Sequence, residues 1–326
     1  MQPMSETLQL VADIGASNAR IASVSEQGMQ VALLRTREFV DAAALFTQAC
    51  RELGVTRISG CCVAVAGPVV DGIGAITNGQ LEFSAAALSA QLDADTVVVN
   101  DFHALAMALP HLSSLQQVGG RAGGEGTRAV LGPGSGLGAA FSVRQNGRWL
   151  VLPSEAGHSD LAPGNMLELE VVGLLHQQFD RVCWEHVLSG PGLVNLYCAI
   201  AAIWGGKPDE LTPEQISQRG LNAQDPVCHQ TLELFLGWLG AAAGNLALTL
   251  CARGGVYIGG GIVPVLIDMV ADSPLRRRFE ERAGLEDFVK DIPVYVITEQ
   301  YPGLVGALAC LDSAAGQFSS PVRSNS

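Results

Sequence analysis

Two aspartates stand where an apolar run meets a break, Asp13 in "LQLVADIGASN" and Asp101 in "TVVVNDF". A carboxylate at the carboxyl end of a buried strand can hold a metal ion or take a proton from a substrate; a helix N-cap is the ordinary alternative, and position alone fits both for Asp101. Glu155 and His158 lie three residues apart in "PSEAGHSD", and Glu185 opens "EHVLSGPG". Such groups, converging with glycine-lined backbone, suit a ligand rich in hydroxyls, because each side chain orients one or two of them. Alone, His158 fits a satisfied structural histidine better than a ligand contact. Three small-residue stretches complete the set: Gly15, Ala16, Ser17 and Asn18; Gly134, Ser135 and Gly136; and Gly259, Gly260 and Gly261 within "GGVYIGGGIVP". Glycine lets backbone amides approach phosphate oxygens without a Cβ in the way. Each stretch by itself reads as an ordinary turn, whereas two such turns are what a nucleotide cleft between two lobes requires.

Elements must bring these residues together. The apolar periodicity predicts strands near 8–14, 19–25 and 29–38, a helix over 42–53 capped by Asp41, a buried strand in "RISGCCVAVAG", a short helix capped by Ser84, and a strand in "DTVVVNDF". Near Pro110 the pattern pauses, and "QQVGGRAGGEGTR" reads as the crossing into a second lobe. That lobe opens as the first does, with the strand "AVLG", the turn "PGSG" and the strand "LGAAFSV". Helices near 165–180, 191–204, 212–220 and 226–252 follow, then the strand "GVYIGG", helices to about 283, the strand "VYVIT" and a helix near 303–315; "GQFSSPVRSNS" reads as a frayed tail. Strands alternating with helices mean α/β architecture, and the shared opening makes the two halves related. The expected boundaries are 1–110 for a small lobe completed by the carboxyl-terminal helix of 300–326, and 111–299 for a large one.

The 19 Lys and Arg against 32 Asp and Glu leave a formal charge of −13, which repels a phosphate backbone or an anionic membrane. Nucleic acid and membrane are therefore not expected partners. Eight cysteines occur without a Cys-x-x-Cys, and Cys61 and Cys62 adjoin inside an apolar run; this suits buried free thiols in a reducing cytosol. "MQPMSETLQL" has neither the basic start nor the apolar core of a leader, so the expected compartment is the cytoplasm. Residues 234–252 carry no charge and contain a Gly-x-x-x-Gly pair at Gly240 and Gly244, a length at the threshold for a membrane span. Asn245 at mid-segment and the strand that follows favour a buried helix packed on a sheet.

In order along the chain, "DIGASNAR", "AGP", "TN", "NDF", "GPGSGLGAA", "EAGH", "EHVLSGPGLVNLY", "AAGNLAL", "GGVYIGGGIVP" and "DIPVYVI" with "PGLVGA" resemble the bacterial glucokinase family, from about residue 8 to 312. The resemblance implies an α/β fold of two related lobes of the actin-like ATPase (ribonuclease H-like) type around a central cleft. It also implies transfer of the ATP γ-phosphoryl group to the 6-hydroxyl of glucose, with Mg2+ as second cofactor and a possible homodimer. On the matching motifs, Asp101 resembles the general base, and Asn100, Glu155, His158 and Glu185 the groups that grip the other sugar hydroxyls. Asp13 resembles the carboxylate that holds magnesium through water. Gly15 to Asn18 and Gly134 to Gly138 resemble the two phosphate loops, and Gly259 to Gly261 the adenosine pocket. Three departures stand out. The family usually has Gly-Gly-Thr-Asn where this chain has Gly15-Ala16-Ser17-Asn18; where that position demands a positive φ, Ala16 costs about 1 kcal/mol and weakens the grip on ATP. The middle of "TNGQLEFS" differs at the expected sugar entrance. "GHSDLAPGNMLELE" lacks the cysteines of the zinc-binding branch, so no structural zinc is expected. A kinase for another hexose and a catalytically weak sugar sensor are the alternative readings.

Overall fold

The computed structural model describes residues 8–77, 79–222 and 225–318. The first seven residues of the stretch read as lacking a leader, Asn78 of the "TN" motif, and the tail beyond Phe318 lie outside them. The chain divides into two compact units, the first of Met1–Ser113 with Glu299–Ser326 and the second of Ser114–Thr298.

The first unit runs β1 (Leu8–Ile14), β2 (Ala19–Ser25), β3 (Gly28–Leu34), α1 (Ala42–Leu53), β4 (Ile58–Val65), β5 (Val69–Val70), β6 (Ile73–Ala75), β7 (Glu82–Ser84), α2 (Ala85–Leu92), β8 (Thr96–Asn100) and α3 (Asp101–Ala108). Its main sheet has the order β3-β2-β1-β4-β8, with β5, β6 and β7 forming a small sheet of their own. β1 pairs antiparallel with β2 and parallel with β4, so both its edges are occupied. Leu10, Ala12 and Ile14 enter one core with Cys61, Val63 and Val65 of β4, and Val11 is buried on the opposite side. A strand covered on both faces needs a continuous apolar run; Asp13 is the exception in it. Asp41 Oδ1 accepts the Ala44 N–H at 2.7 Å to start α1, and Gly54 in the left-handed region (φ 64°) ends it. β3 stops at Leu34, short of the expected 38, because Thr36–Glu38 winds into a 3₁₀ turn.

The second unit begins with β9 (Leu115–Gln117), β10 (Arg128–Pro133), β11 (Leu137–Gln145) and β12 (Arg148–Ser154). It continues through α4 (Met166–Leu175), α5 (Gly190–Ile203), α6 (Pro213–Leu221), α7 (Pro226–Thr249), β13 (Gly255–Ile258), α8 (Ile267–Val270), α9 (Leu275–Glu280), α10 (Glu286–Val289) and β14 (Val294–Ile297). The sheet order is β12-β11-β10-β13-β14-β9, which repeats the first unit's order and adds one strand. That strand, β9, pairs antiparallel with β14 and lies at the start of the stretch read as a mere crossing. α7 is the one described helix long and apolar enough to cross a membrane, and most of its apolar stretch is buried within the protein. Its Gly-x-x-x-Gly pair serves a close crossing: a Cβ on Gly240 would lie 2.0 Å from Leu275 O of α9.

The chain then returns to the first unit with α11 (Pro302–Phe318). A Cβ on Gly306 would lie 1.9 Å from Ala104 O of α3, and one on Gly303 would lie 2.6 Å from Asp13 Cγ. Two glycines thus let α11 press against both the helix that begins at Asp101 and the strand that carries Asp13.

Candidate active site

In the first unit, strand pairing explains the arginine just past the first turn. Asp13 stands directly opposite Arg20 in the β1/β2 register, with Arg20 Nη1 at 3.4 Å from Asp13 Oδ2. That contact is long and Arg20 is more than a third exposed, so it offsets little of the burial that raises the Asp13 pKa. The turn after β1 is closed by Gly15 N–H donating to Asn18 O at 2.9 Å. Thr36 braces it from behind: its hydroxyl donates to Gly15 O at 2.8 Å and its amide to Ser17 O at 3.2 Å. Ala16, Ser17 and Asn18 are exposed. Ala16 is not among the residues with positive φ, so the family's glycine there is not demanded by backbone strain. The conditional cost attached to alanine does not arise.

At the end of β8, Asn100 caps α3, accepting the amides of Phe102 (2.9 Å) and His103 (3.2 Å) on Oδ1. Its Nδ2 donates to Gly67 O at 3.1 Å and to Asp101 Oδ1 at 2.9 Å. All four hydrogen-bonding positions of that amide are therefore engaged within the chain, and a sugar contact through Asn100 has to replace one of them. Asp101 is the first residue of α3 and not its cap. Its Oδ1 also accepts the Phe102 amide at 3.0 Å, which fixes the carboxyl plane. Burial first, and then the negative charge of Asp13, push the Asp101 pKa up to about 7. A carboxyl poised there is half charged at neutral pH, where a general base works best.

In the second unit, β10 and β11 are joined by Gly134, Ser135 and Gly136, with Gly134 N–H donating to Gly136 O at 2.8 Å. Glu185 reaches this turn, its Oε2 accepting the Leu137 amide at 2.8 Å. Its Oε1 lies 3.6 Å from His158 Nε2. Glu155 precedes and His158 ends a 3₁₀ turn, Ala156–His158, tied by His158 N–H to Glu155 O at 3.0 Å. Gly157 presses that turn against β11, where a Cβ would lie 2.0 Å from Leu137 O. Both Glu155 and His158 are exposed and Glu185 half-buried. The neighbouring His186 stacks on Phe179 at 3.8 Å between ring centroids and accepts the Cys183 amide on Nδ1 at 3.2 Å; partial burial lowers its pKa. The third glycine cluster follows β13. Gly259 N–H donates to Leu131 O at 2.9 Å, and Gly260, with φ 78°, approaches β10 so closely that a Cβ would lie 2.3 Å from Pro133 O. Here a glycine is obligatory on both counts.

The second unit thus gathers His158, Glu185, the turn Gly134–Gly136 and, through Pro133, Gly260. The first unit gathers Asp13, Asp101, Asn100 and the turn Gly15–Asn18. Thr36 and the Gly190 amide, which donates to Gly134 O at 2.8 Å, support the two turns without having been singled out by sequence. For Thr36 the signal was hidden by reading β3 through residue 38; the "SGPG" before α5 held the other, as a helix start next to a glycine turn.

A glucokinase family model matches residues 10–314. Glucokinase of Yersinia enterocolitica is 40% identical over 314 residues, covering 94% of this chain and 97% of that protein. Glucokinase of Chromobacterium violaceum is 39% identical over 319 residues, covering 96% and 92%. Among solved structures, glucokinase from an Antarctic psychrotroph superposes with a TM-score of 0.85 at 34% identity, covering 94% of this chain and 99% of that one.

Proposed function

We propose, because this chain belongs to the glucokinase family and holds a carboxylate with a pKa of about 7 at the start of α3, that it transfers the γ-phosphoryl group of ATP to the 6-hydroxyl of D-glucose. The products are glucose 6-phosphate and ADP, the entry step of glycolysis. The fold is the α/β, two-unit architecture of the actin-like ATPases.

The single observation that carries the mechanism is the Asp101 carboxyl, oriented by Phe102 N–H and Asn100 Nδ2 and raised by burial. Asp101 accepts the proton of the sugar hydroxyl as its oxygen attacks, a contribution of about 10² to 10⁴ in rate. Phosphoryl transfer leaves little covalent work for a protein beyond alignment and charge stabilisation. Glu155, His158 and Glu185 bind the remaining hydroxyls, which fixes the sugar for in-line attack. The amides of Gly15 to Asn18 and of Gly134 to Gly136 receive phosphate oxygens, and Gly259 to Gly261 receive the adenosine. Asp13 suits a hard divalent cation: its carboxylate is an oxygen ligand whose pKa burial raises and whose charge Arg20, at 3.4 Å, offsets in part. Asp13 would hold Mg2+ through water, and the ion would supply charge neutralisation to the transferring phosphate. The eight free thiols support placing the enzyme in the reducing cytoplasm.

A coupled ADP-release assay across glucose, mannose, fructose, N-acetylglucosamine and N-acetylmannosamine tests the reading. Glucose is expected to give the highest kcat/KM. ADP release with none of these sugars would refute kinase activity, and a clear preference for another sugar would replace glucose as the substrate.

A further inference from the structure

The turn Gly134–Gly136 hangs at both ends from one short segment. Beyond its last residue the Leu137 amide donates to Glu185 Oε2 at 2.8 Å. At its first residue Gly134 O accepts the amide of Gly190, where α5 begins, also at 2.8 Å. Within the segment Ser189 Oγ donates to Glu185 O at 2.8 Å and accepts the Gly192 amide at 3.0 Å, so the two anchor points are tied to each other. Gly136 packs on the same carboxylate. A Cβ there would lie 2.6 Å from Glu185 Oε2, while a Cβ on Gly134 would meet nothing within 4 Å. The other oxygen of Glu185 faces His158 Nε2 at 3.6 Å.

We infer that Glu185 couples the sugar-binding groups of the second unit to its phosphate turn. The proposal rests on the glucokinase reading and deepens it. A carboxylate has a fixed angle between its two oxygens, so a hexose hydroxyl that draws the Glu185 carboxyl into a new orientation changes the acceptor offered to Leu137 N–H. The turn shifts with it, because the Leu137 amide at its end is held by that oxygen and Gly136 lies against the same oxygen with no space for a side chain. Conversely, phosphate oxygens that fix the turn amides fix the carboxylate for the sugar. Such coupling is reciprocal: whatever factor hexose applies to nucleotide affinity, nucleotide applies to hexose affinity. Gly136 is then required by the carboxylate as well as by phosphate approach, which separates it from Gly134 in the same turn.

The experiment is calorimetric titration of the full chain with glucose alone, and with a nonhydrolysable ATP analogue in the absence and presence of glucose. Gly136→Ala drives a methyl into Oε2 and is expected to weaken glucose binding about tenfold or more with no nucleotide present. Gly134→Ala, with open space for its methyl, is expected to leave glucose affinity within about threefold. Glu185→Ala is expected to weaken the analogue about fivefold in the absence of sugar, and to abolish the mutual strengthening of the two ligands. A folded Gly136→Ala chain, with a thermal midpoint close to wild type, that binds glucose normally overturns the coupling. Should that variant not fold, Glu185→Ala decides: analogue binding and synergy equal to wild type overturn it too. Wild-type chain that binds no hexose overturns the glucokinase reading itself and the coupling with it, whereas normal wild-type binding with insensitive variants overturns the coupling alone.

Discussion

Each unit contains an antiparallel hairpin whose first strand also pairs in parallel with a later one, yet the two hairpins end differently. In the first, the last two pairs are Asp13 opposite Arg20 and Ile14 opposite Ala19; in the second they are Gly132 opposite Gly138 and Pro133 opposite Leu137. Counted from the turn, a carboxylate in one unit corresponds to a glycine in the other. The first unit therefore carries one carboxylate on the strand itself, Asp13, and another just past a strand end, Asp101, and burial raises the pKa of both. The second unit has glycine and proline at the matching strand end, and its acidic groups are Glu155, exposed just past β12, and Glu185, half-buried. Half-buried carboxyls whose pKa is raised suit proton transfer, while exposed groups suit reversible binding.

Substitutions that separate turnover from affinity test this division. Asp101→Asn is expected to lower kcat about 10²-fold or more while glucose binding stays largely intact. Near-normal turnover in steady-state assays would remove the base from the first unit and the contrast with it. Glu155→Gln is expected to raise KM for glucose about tenfold with a smaller change in kcat, the loss of one charged hydrogen bond. A fall confined to kcat would put chemistry in the second unit as well.

Asp13 and Asp101 together make the first unit sensitive to pH in a defined direction. A base with a pKa of about 7 gives kcat/KM an acid limb, with activity falling about tenfold per unit once the pH drops below that value. Asp13→Asn removes the nearby negative charge and is expected to move the limb to lower pH. Stability follows the opposite trend to activity. Asp101 has a folded pKa above the unfolded one, so it binds a proton more readily in the native state, and its contribution is fully present below pH 3.8 and lost as pH rises to about 7. Above that pH, Asp101→Asn relieves a buried charge and is expected to raise Tm by about 2 °C or more. A limb that ignores Asp13→Asn would show that the two carboxylates do not sense each other.

Local signals carried much of the fold. Asp41 and Ser84 cap α1 and α2 where their positions before apolar periodic runs indicate, and the alternation of strands and helices predicts the α/β architecture. What escaped notice depends on distant partners. β9 is three residues, "LQQ", beside a glycine-rich stretch; its strand character comes from pairing with β14, far along the chain. Thr36 looked like the end of a strand, and only the fold puts its hydroxyl on Gly15 O. At the site, residue types at strand ends flagged Asp13 and Asp101, but not that Asn100 would be saturated as a helix cap. Nor could a glycine-rich motif reveal that Gly136 answers to Glu185 and Gly260 to Pro133, since those are contacts across the fold.

The two turns are held in place by different means. In the second unit glycine is enforced by neighbours, with Glu185 Oε2 2.6 Å from where a Gly136 Cβ would sit. In the first unit the turn is enforced from below, by Thr36 on Gly15 O and Ser17 O, and Ala16 stands exposed without positive φ. Alanine at position 16 therefore carries no conformational penalty for glycine to relieve. Replacing it adds backbone freedom to the unfolded chain, at a cost of about 0.5 to 1 kcal/mol. Ala16→Gly is expected to leave KM for ATP within about twofold and to lower Tm by about 1 to 2 °C. A several-fold fall in KM would show that this turn, like its counterpart, is read by its ligand through the absence of a side chain, and that the two loops differ less than their supports suggest.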